Sequence, residues 1–195
     1  MSGVEKFLVI ETSAATGSWA LFADGQCVKA ATVSGRASGN LAPGLLTISG
    51  ELGGVGEIIV GVGPGSFSGI RVGIASAQGL AAVLGCPVVP IRSTHALAWQ
   101  FRDVPDLAIF ADARRGQFFH TAYAYGALTA PTRLVTADEL ATLATRHQLT
   151  ISVEVLPHIT RVEFPTAENL GHAHLNFPAE PVLPLDPIYL HNAVK

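Results

Sequence analysis

The stretch EIIVGVGPGSFSGIRVGIASAQGLAAVL, residues 57–84, decides the fold of this chain. Its β-branched beginning predicts a buried strand, and the glycines at Gly63, Gly65 and Gly69 predict a tight loop. The run of small and aliphatic residues that follows predicts a helix, which Gly85 is suited to end. Because the first amides of a helix lack partners within it, this order favours an anion or an acidic group at the loop.

The loop at residues 63–69 does not match a standard phosphate-binding motif. No Lys-Ser or Lys-Thr pair follows it, as a Walker A loop requires, and Ser68 occupies the place of the third glycine in GxGxxG. A structural turn and an anion site therefore explain its glycines equally well. Ser66 is placed to cap the helix. The candidate anion or nucleotide contacts lie in this loop, at the end of the first strand and at the start of the helix: Glu11, Thr12, Gly63, Gly65, Ser66, Ser68 and Arg71.

The helix after the loop has one side of small residues. Gly69, Gly73, Ala77 and Ala81 recur at intervals of four, so they form a ridge with almost no side-chain bulk. Such a ridge allows the backbone of another helix to approach closely.

The composition favours burial of apolar surface, including burial against a partner. The 195 residues are 49% hydrophobic and 14% charged, with a mean hydropathy of +0.40. The net charge of -3 and the lack of a Lys/Arg run argue against sequence-independent binding of nucleic acid. Residues 72–91 carry no charge, but their glycines and Pro87 argue against a membrane span, and residues 1–11 do not resemble a signal peptide. Cys27 and Cys86 are expected to be reduced packing residues.

The order of predicted elements describes an α/β fold in two lobes. A three-strand meander with a tight turn at Asp24-Gly25, followed by helix, strand, helix and strand, is the order of a ribonuclease-H-like lobe with a mixed sheet. A junction near residue 102 divides the chain into lobes of 1–102 and 103–195. Besides those of the opening stretch, strands are predicted at residues 7–12, 18–23, 27–33, 87–91, 107–111, 117–125 and 150–155. Further helices are predicted at residues 41–52, 94–101, 137–145 and 168–174, with caps at Ser93 and Thr136.

The sequence does not offer a complete set of residues for phosphoryl transfer or for metal binding. Glu11 could help to bind a cation near phosphates, but transfer also needs a base and metal-holding carboxylates, and Asp112 is the one comparable candidate. The seven histidines form no HxxxH or HExxH pair, so surface histidines explain them better than a metal site. Arg114 and Arg115 suit either a solvated turn or an acidic partner.

Residues 63–81, GPGSFSGIRVGIASAQGLA, resemble the GPGSFTGxRxGxxxAQGLA signature of the TsaB (YeaZ) family of tRNA threonylcarbamoyladenosine biosynthesis. Three further stretches carry the resemblance: residues 7–25 (FLVIETSAATGSWALFADG), 109–116 (IFADARRG, like DARxGxVY) and 187–190 (PIYL, like PxYLR). Residues 127–180 carry no match. The resemblance implies a two-lobed actin-like (ribonuclease-H-like, ASKHA) fold with mixed sheets and without catalytic machinery.

The resemblance also implies partners. A TsaB-like chain is a scaffold that pairs with the TsaD-like catalytic subunit, which transfers the threonylcarbamoyl group to the adenosine next to the anticodon of tRNA, and with a TsaE-like ATPase. It is expected to form a homodimer when alone, to contact tRNA only through the complex and to act in the cytoplasm without a membrane. No cofactor is expected to be intrinsic, and ATP or ADP is implied only at the partner interface. That interface combines the small-residue ridge with the preceding helix: Leu41, Leu45, Gly69, Gly73, Ala77 and Ala81.

Several positions depart from the family pattern. Glu11 stands where Asp is commoner, Ser68 replaces Thr, residues 36–40 lack a His-Ser pair, and His191 replaces the Arg of PxYLR. The second lobe is also shorter than is usual. Two alternatives from other classes stay open: an actin-fold phosphotransferase or ATPase that uses Glu11 and the 63–69 loop, and, more weakly, a metallopeptidase-like activity.

Overall fold

Two mixed β-sheets form the framework of the protein in a computed structural model, which describes residues 6–33, 37–178 and 183–188, with the backbone alone for 37–40. The motif positions Arg36, Tyr189, Leu190 and His191 lie outside the described residues.

The first sheet has the order β3-β2-β1-β4-β5. Its strands are β1 (Lys6–Glu11), β2 (Gly17–Ala23), β3 (Gln26–Val33), β4 (Glu57–Gly61) and β5 (Val88–Ile91). The first three strands are antiparallel, while β4 and β5 run parallel to β1. Asp24 and Gly25 turn between β2 and β3 with φ of 50° and 75°, which confirms the predicted hairpin.

Helices cover both faces of this sheet. They are α1 (Ala37–Leu46), α2 (Phe67–Leu84), α3 (Thr94–Gln100) and α5 (Ala167–Asn176). Along β1, Leu8 and Ile10 point to the side of α1 and α2, whereas Phe7 and Val9 point to the side of α3 and α5. A strand buried on both faces explains why the sequence of β1 is apolar throughout.

The second sheet repeats the topology of the first. Its order β8-β7-β6-β9 matches β3-β2-β1-β4, with an antiparallel meander and a last strand parallel to the first. The strands are β6 (Leu107–Arg114), β7 (Gln117–Ala124), β8 (Ala127–Thr136) and β9 (Leu149–Ser152), and α4 (Ala137–Arg146) precedes β9. Two lobes that share this order confirm the predicted two-lobed actin-like (ribonuclease-H-like, ASKHA) fold.

The end of the described chain returns to the first lobe. The amide of Ala167 donates to Ser18 Oγ at 2.8 Å, and the amide of Ile188 donates to the carbonyl of Val62 at 3.0 Å. The predicted junction near residue 102 separates the two sheets, but the range 103–195 includes α5 and residues that pack in the first lobe.

Two local predictions at helix ends need correction. The first helix begins at Ala37, earlier than predicted, contains Pro43, and is followed by a 3₁₀ turn at Ser49–Glu51. Ser93 makes no side-chain cap for α3, because its hydroxyl accepts from the amide of Gly63 at 3.0 Å.

Two other predicted caps are confirmed. Ser66 Oγ accepts from the amide of Gly69 at 3.3 Å at the start of α2, and Gly85 ends α2 with a φ of 70°. Thr136 and Glu139 form the predicted capping box of α4, with distances of 3.3 and 2.9 Å.

Candidate functional site

The loop before α2 is packed against the turn that follows β1. The amide of Ser66 donates to the carbonyl of Ser13 at 2.6 Å. A Cβ added to Gly65 would overlap the same carbonyl, and Gly65 has a φ of 153°. One amide at the start of α2, which an anion would need, is therefore already used by the chain itself. Gly65 serves this close approach of two turns, whereas a Cβ on Gly63, which has a φ of 91°, would overlap the Ile70 side chain.

Thr12 joins the same contact from the end of β1. Its hydroxyl donates to the carbonyl of Gly69 at 2.8 Å. A Cβ on Gly69 would overlap the carbonyl oxygen of Thr12, and a Cβ on Gly73 would overlap its hydroxyl. The two helix glycines are thus needed because α2 lies directly on the end of β1.

The small-residue ridge faces the inside of the protein. Gly69, Gly73, Ala77 and Ala81 are all buried, and α2 packs with this side on β1, β4 and β5. Leu41 and Leu45 are also buried, in the core between α1 and the sheet. The six residues implied as a partner interface are therefore covered by their own chain. A spacing of four shows which residues share a helix face, but it does not show which neighbour covers that face.

The opposite side of α2 is uncovered, and we call it the outer face of α2. It consists of exposed residues that recur at helical intervals: Ser68, Arg71, Ala75, Gln78, Gly79, Ala82 and Val83. Val83 is 84% exposed and Phe67, at the start of α2, is 49% exposed. Leu46, at the end of the neighbouring helix α1, is 71% exposed. Only 33% of α2 is buried, and by length and composition alone this helix could cross a membrane. The sequence signal for this surface was a helix of 18 residues with a single charge, since a helix that is apolar all round needs cover on every side.

Glu11 lies inside the first lobe and does not line the cleft between the lobes. It is completely buried, and its Oε1 accepts from the amide of Ser13 at 2.6 Å. Oε2 has no hydrogen-bond partner among the described residues, and a Cβ on Gly61 would overlap it. Burial raises the pKa of Glu11, and hydrogen bonds at Ser13 oppose that rise. The side chain is thus held where a neutral carboxylic acid is favoured over a cation ligand.

We expect the Glu11→Gln variant to gain stability relative to the wild type as the pH rises. The unfolded carboxyl ionises near its ordinary pKa of 4.5, whereas the buried carboxyl keeps its proton to higher pH. Above 4.5 the folded state therefore binds more protons than the unfolded state, and wild-type stability falls by about 1.4 kcal/mol per pH unit until the folded pKa is reached. Denaturant unfolding of both proteins from pH 4 to 8 measures the difference. A difference that does not change with pH would contradict a neutral Glu11.

A cleft of about 800 Å³ lies between the two lobes. Its walls combine serine hydroxyls and apolar groups of the first lobe with charged groups of the second and the end of the described chain. They include Ser13, Ser66, Phe67, Ser68, Ile70, Asp112, Arg114, Arg115, Phe119, Glu154, Pro187 and Ile188. Glu11 and Thr12, predicted as nucleotide contacts, are not among the lining residues.

The charged wall of the cleft is formed by the turn between β6 and β7. Arg114 and Arg115 both have left-handed backbone, with φ of 68° and 56°. Asp112 pairs with Arg114, Nη1 to Oδ2, at 3.0 Å, and the amide of Asp112 donates to Glu154 Oε1 at 2.8 Å. The Asp112 carboxylate therefore stabilises the turn between β6 and β7. Arg115 stands at the cleft, where an anionic group could reach it.

Most of the described histidines make packing or hydrogen-bond contacts, whereas His158 is exposed. His95 and His120 are buried, which corrects the expectation that all are at the surface, and burial lowers the pKa of His120 to about 4. His172 stacks on Trp99 with ring centroids 5.6 Å apart, and His174 Nε2 lies 3.1 Å from Glu57 Oε1. Among the described residues, no group of three or more His, Cys, Asp or Glu side chains could hold a metal ion.

Comparison with known proteins connects this geometry to a family. The family model of TsaD, described as tRNA N6-adenosine threonylcarbamoyltransferase, matches residues 50–177, which is more than half of the chain. The TsaB protein of Bacillus subtilis, named for tRNA threonylcarbamoyladenosine biosynthesis, is 41% identical over 71 residues, 35% of this chain and 31% of the relative. The TsaB protein of Escherichia coli is 34% identical over 83 residues, 40% of this chain and 36% of the relative. The matched stretch thus spans about a third of the length of these curated relatives.

Solved structures match over almost the whole chain. YeaZ from Pseudomonas aeruginosa has a TM-score of 0.76 at 20% identity and covers 95% of this chain and 100% of its own. At this identity the match shows the fold alone. The chain therefore belongs to the TsaD family, and the curated relatives and solved structures to which it is similar include proteins named TsaB and YeaZ.

Proposed function

We propose that the chain is a non-catalytic assembly subunit in tRNA threonylcarbamoyladenosine biosynthesis, which pairs with a TsaD-like catalytic subunit through the outer face of α2. Family membership supports the pathway, since the relatives in B. subtilis and E. coli are named for it. The choice of the outer face of α2 as the pairing surface is based on the geometry of this chain alone.

The observation that carries the proposal is the uncovered apolar surface of α2 and α1. Val83 and Leu46 are 84% and 71% exposed, and Ala75, Gly79 and Ala82 are exposed on the outer face beyond Arg71. Exposed apolar surface of this kind is typical of a protein–protein interface. The buried ridge on the opposite side fixes the helix to its sheet, so the outer face presents a rigid surface.

Gly79 supports close approach by a partner helix. It lies in the middle of α2, and nothing in the described chain is within 4 Å of the position of a Cβ. A glycine in a helix interior costs about 1 kcal/mol relative to alanine. Because the fold gains nothing from it, a partner backbone packed against this spot would explain the glycine.

The absence of a catalytic role is supported by what the actin-fold residues do here. Glu11 is buried, Thr12 donates to the backbone of α2, and the Ser66 amide binds Ser13. In the proposed complex, ATP or ADP would be held at the partner interface, a TsaE-like ATPase would join, and tRNA would be contacted through the complex. Alone, the chain would form a homodimer in the cytoplasm.

Depletion of the chain from its native cell tests the proposed function. We expect the threonylcarbamoyladenosine content of total tRNA, measured by mass spectrometry of nucleosides, to fall with depletion and to recover with the wild-type gene. Unchanged modification after complete depletion would contradict the proposal. The phosphotransferase alternative predicts instead that the isolated chain hydrolyses ATP and that Glu11→Ala abolishes this activity.

A further inference from the structure

A single charged side chain stands on the surface formed by α1 and α2. The two helices, Ala37–Leu46 and Phe67–Leu84, contain no Asp, Glu or Lys and one arginine, Arg71. Arg71 is exposed on the outer face of α2, one turn before Ala75, and its guanidinium lies 5.3 Å from the centre of the Phe67 ring. It has no ion-pair partner among the described residues.

The position of Arg71 restricts what can cover this surface. A cation taken out of water without a carboxylate is strongly unfavourable, whereas contact with the Phe67 ring replaces only part of its hydration. A partner that buries the Arg71 guanidinium together with the outer face is therefore favoured when it supplies an acidic group opposite Arg71.

A second copy of this chain does not supply that group from the same surface. In a symmetric dimer each partner contributes the same patch, so two Arg71 side chains would be buried with α1 and α2 residues that carry no carboxylate. Glu51, in the 3₁₀ turn after α1, already pairs with Lys29 at 2.6 Å. Self-pairing across the outer face thus leaves both arginines without a carboxylate partner, so a homodimer of the isolated chain would be held less tightly than a pairing that supplies one.

We propose that Arg71 selects the partner: the outer face of α2 fits an apolar helix that presents a carboxylate to Arg71, in preference to a second copy of this chain. This inference rests on the proposed function, in which that helix belongs to the TsaD-like subunit. Arg71 then favours the heterodimer by an ion pair and disfavours the homodimer by burial of two like charges.

The test compares Arg71→Leu, Arg71→Lys and wild type in two measurements, the Kd for the TsaD-like subunit and the Kd of self-association by sedimentation equilibrium. We expect Arg71→Leu to weaken heterodimer pairing at least about tenfold and to strengthen self-association by a similar factor. Arg71→Lys keeps the charge and should keep the preference. Added salt should weaken heterodimer pairing of the wild type more than that of Arg71→Leu. Arg146→Leu, an exposed position on α4, is the matched control.

Opposite changes in the two affinities separate this role from a structural one, because general damage to the surface would weaken both. If Arg71→Leu pairs with the TsaD-like subunit as tightly as wild type, or weakens self-association as well, the inference is overturned while the proposed function stands. If the wild type itself fails to bind the subunit, the proposed function is overturned.

Discussion

Replacing Gly69 by alanine is expected to destabilise the protein by about 3 kcal/mol, whereas the same change at Gly79, on the same helix, is expected to stabilise it by about 1 kcal/mol. A Cβ on Gly69 overlaps the backbone carbonyl of Thr12, which cannot move without separating α2 from β1 and losing the 2.8 Å hydrogen bond of the Thr12 hydroxyl. A Cβ on Gly79 meets open space, so only the higher helix propensity of alanine acts.

Denaturant unfolding of the two variants and the wild type measures this pair of effects. Because the substitution is the same and both positions are in α2, the difference isolates the packing of the helix on β1. Equal effects at the two positions would contradict a ridge that faces the interior. They would instead favour the sequence-based expectation that the ridge is free for a partner.

The second large effect is expected for Ala75→Glu, which should weaken pairing with the TsaD-like subunit at least about 100-fold. Ala75 is exposed one turn after Arg71, so the new carboxylate would pair with Arg71 and repel the acidic group of the partner. A like-charge contact across an interface costs several kcal/mol, and loss of a buried interface ion pair costs about 2–5 kcal/mol.

Isothermal titration of the purified subunits measures this loss. Thr142→Glu, at an exposed position of α4, is the matched control, and Arg146 four residues later makes it tolerable there. Both variants should unfold at wild-type denaturant concentrations. Retention of wild-type affinity by Ala75→Glu would place the pairing surface elsewhere.

The sequence was sufficient where a signal is local. The Asp24-Gly25 hairpin, the Ser66 cap and the Gly85 stop depend on residues within one turn of each other, and each was confirmed. The strand β8 was missed, because it is an edge strand with exposed residues and contains Pro131 beside an irregular pairing with β7. Apolar alternation does not mark such a strand, and Pro131 masks the β-propensity of its threonines.

The site depended on contacts between distant parts of the chain. Glu11 at a strand end looked like a cation ligand, but its burial follows from the pairing of β1 with β4, which brings Gly61 against its carboxyl group. The ridge of α2 looked like a partner surface because spacing carries no information about the identity of the neighbour. The small side chains of the ridge predicted that another part of a protein approaches α2 closely, and in the fold that part is the end of β1.

The most direct measurement of the central claim is amide hydrogen exchange of this chain with and without the TsaD-like subunit. Exchange is expected to slow in α1 and in α2, most at the outer-face residues from Ala75 to Val83, while β8 and α4 of the second lobe are unchanged. Slower exchange confined to the second lobe, with α1 and α2 unaffected, would contradict it.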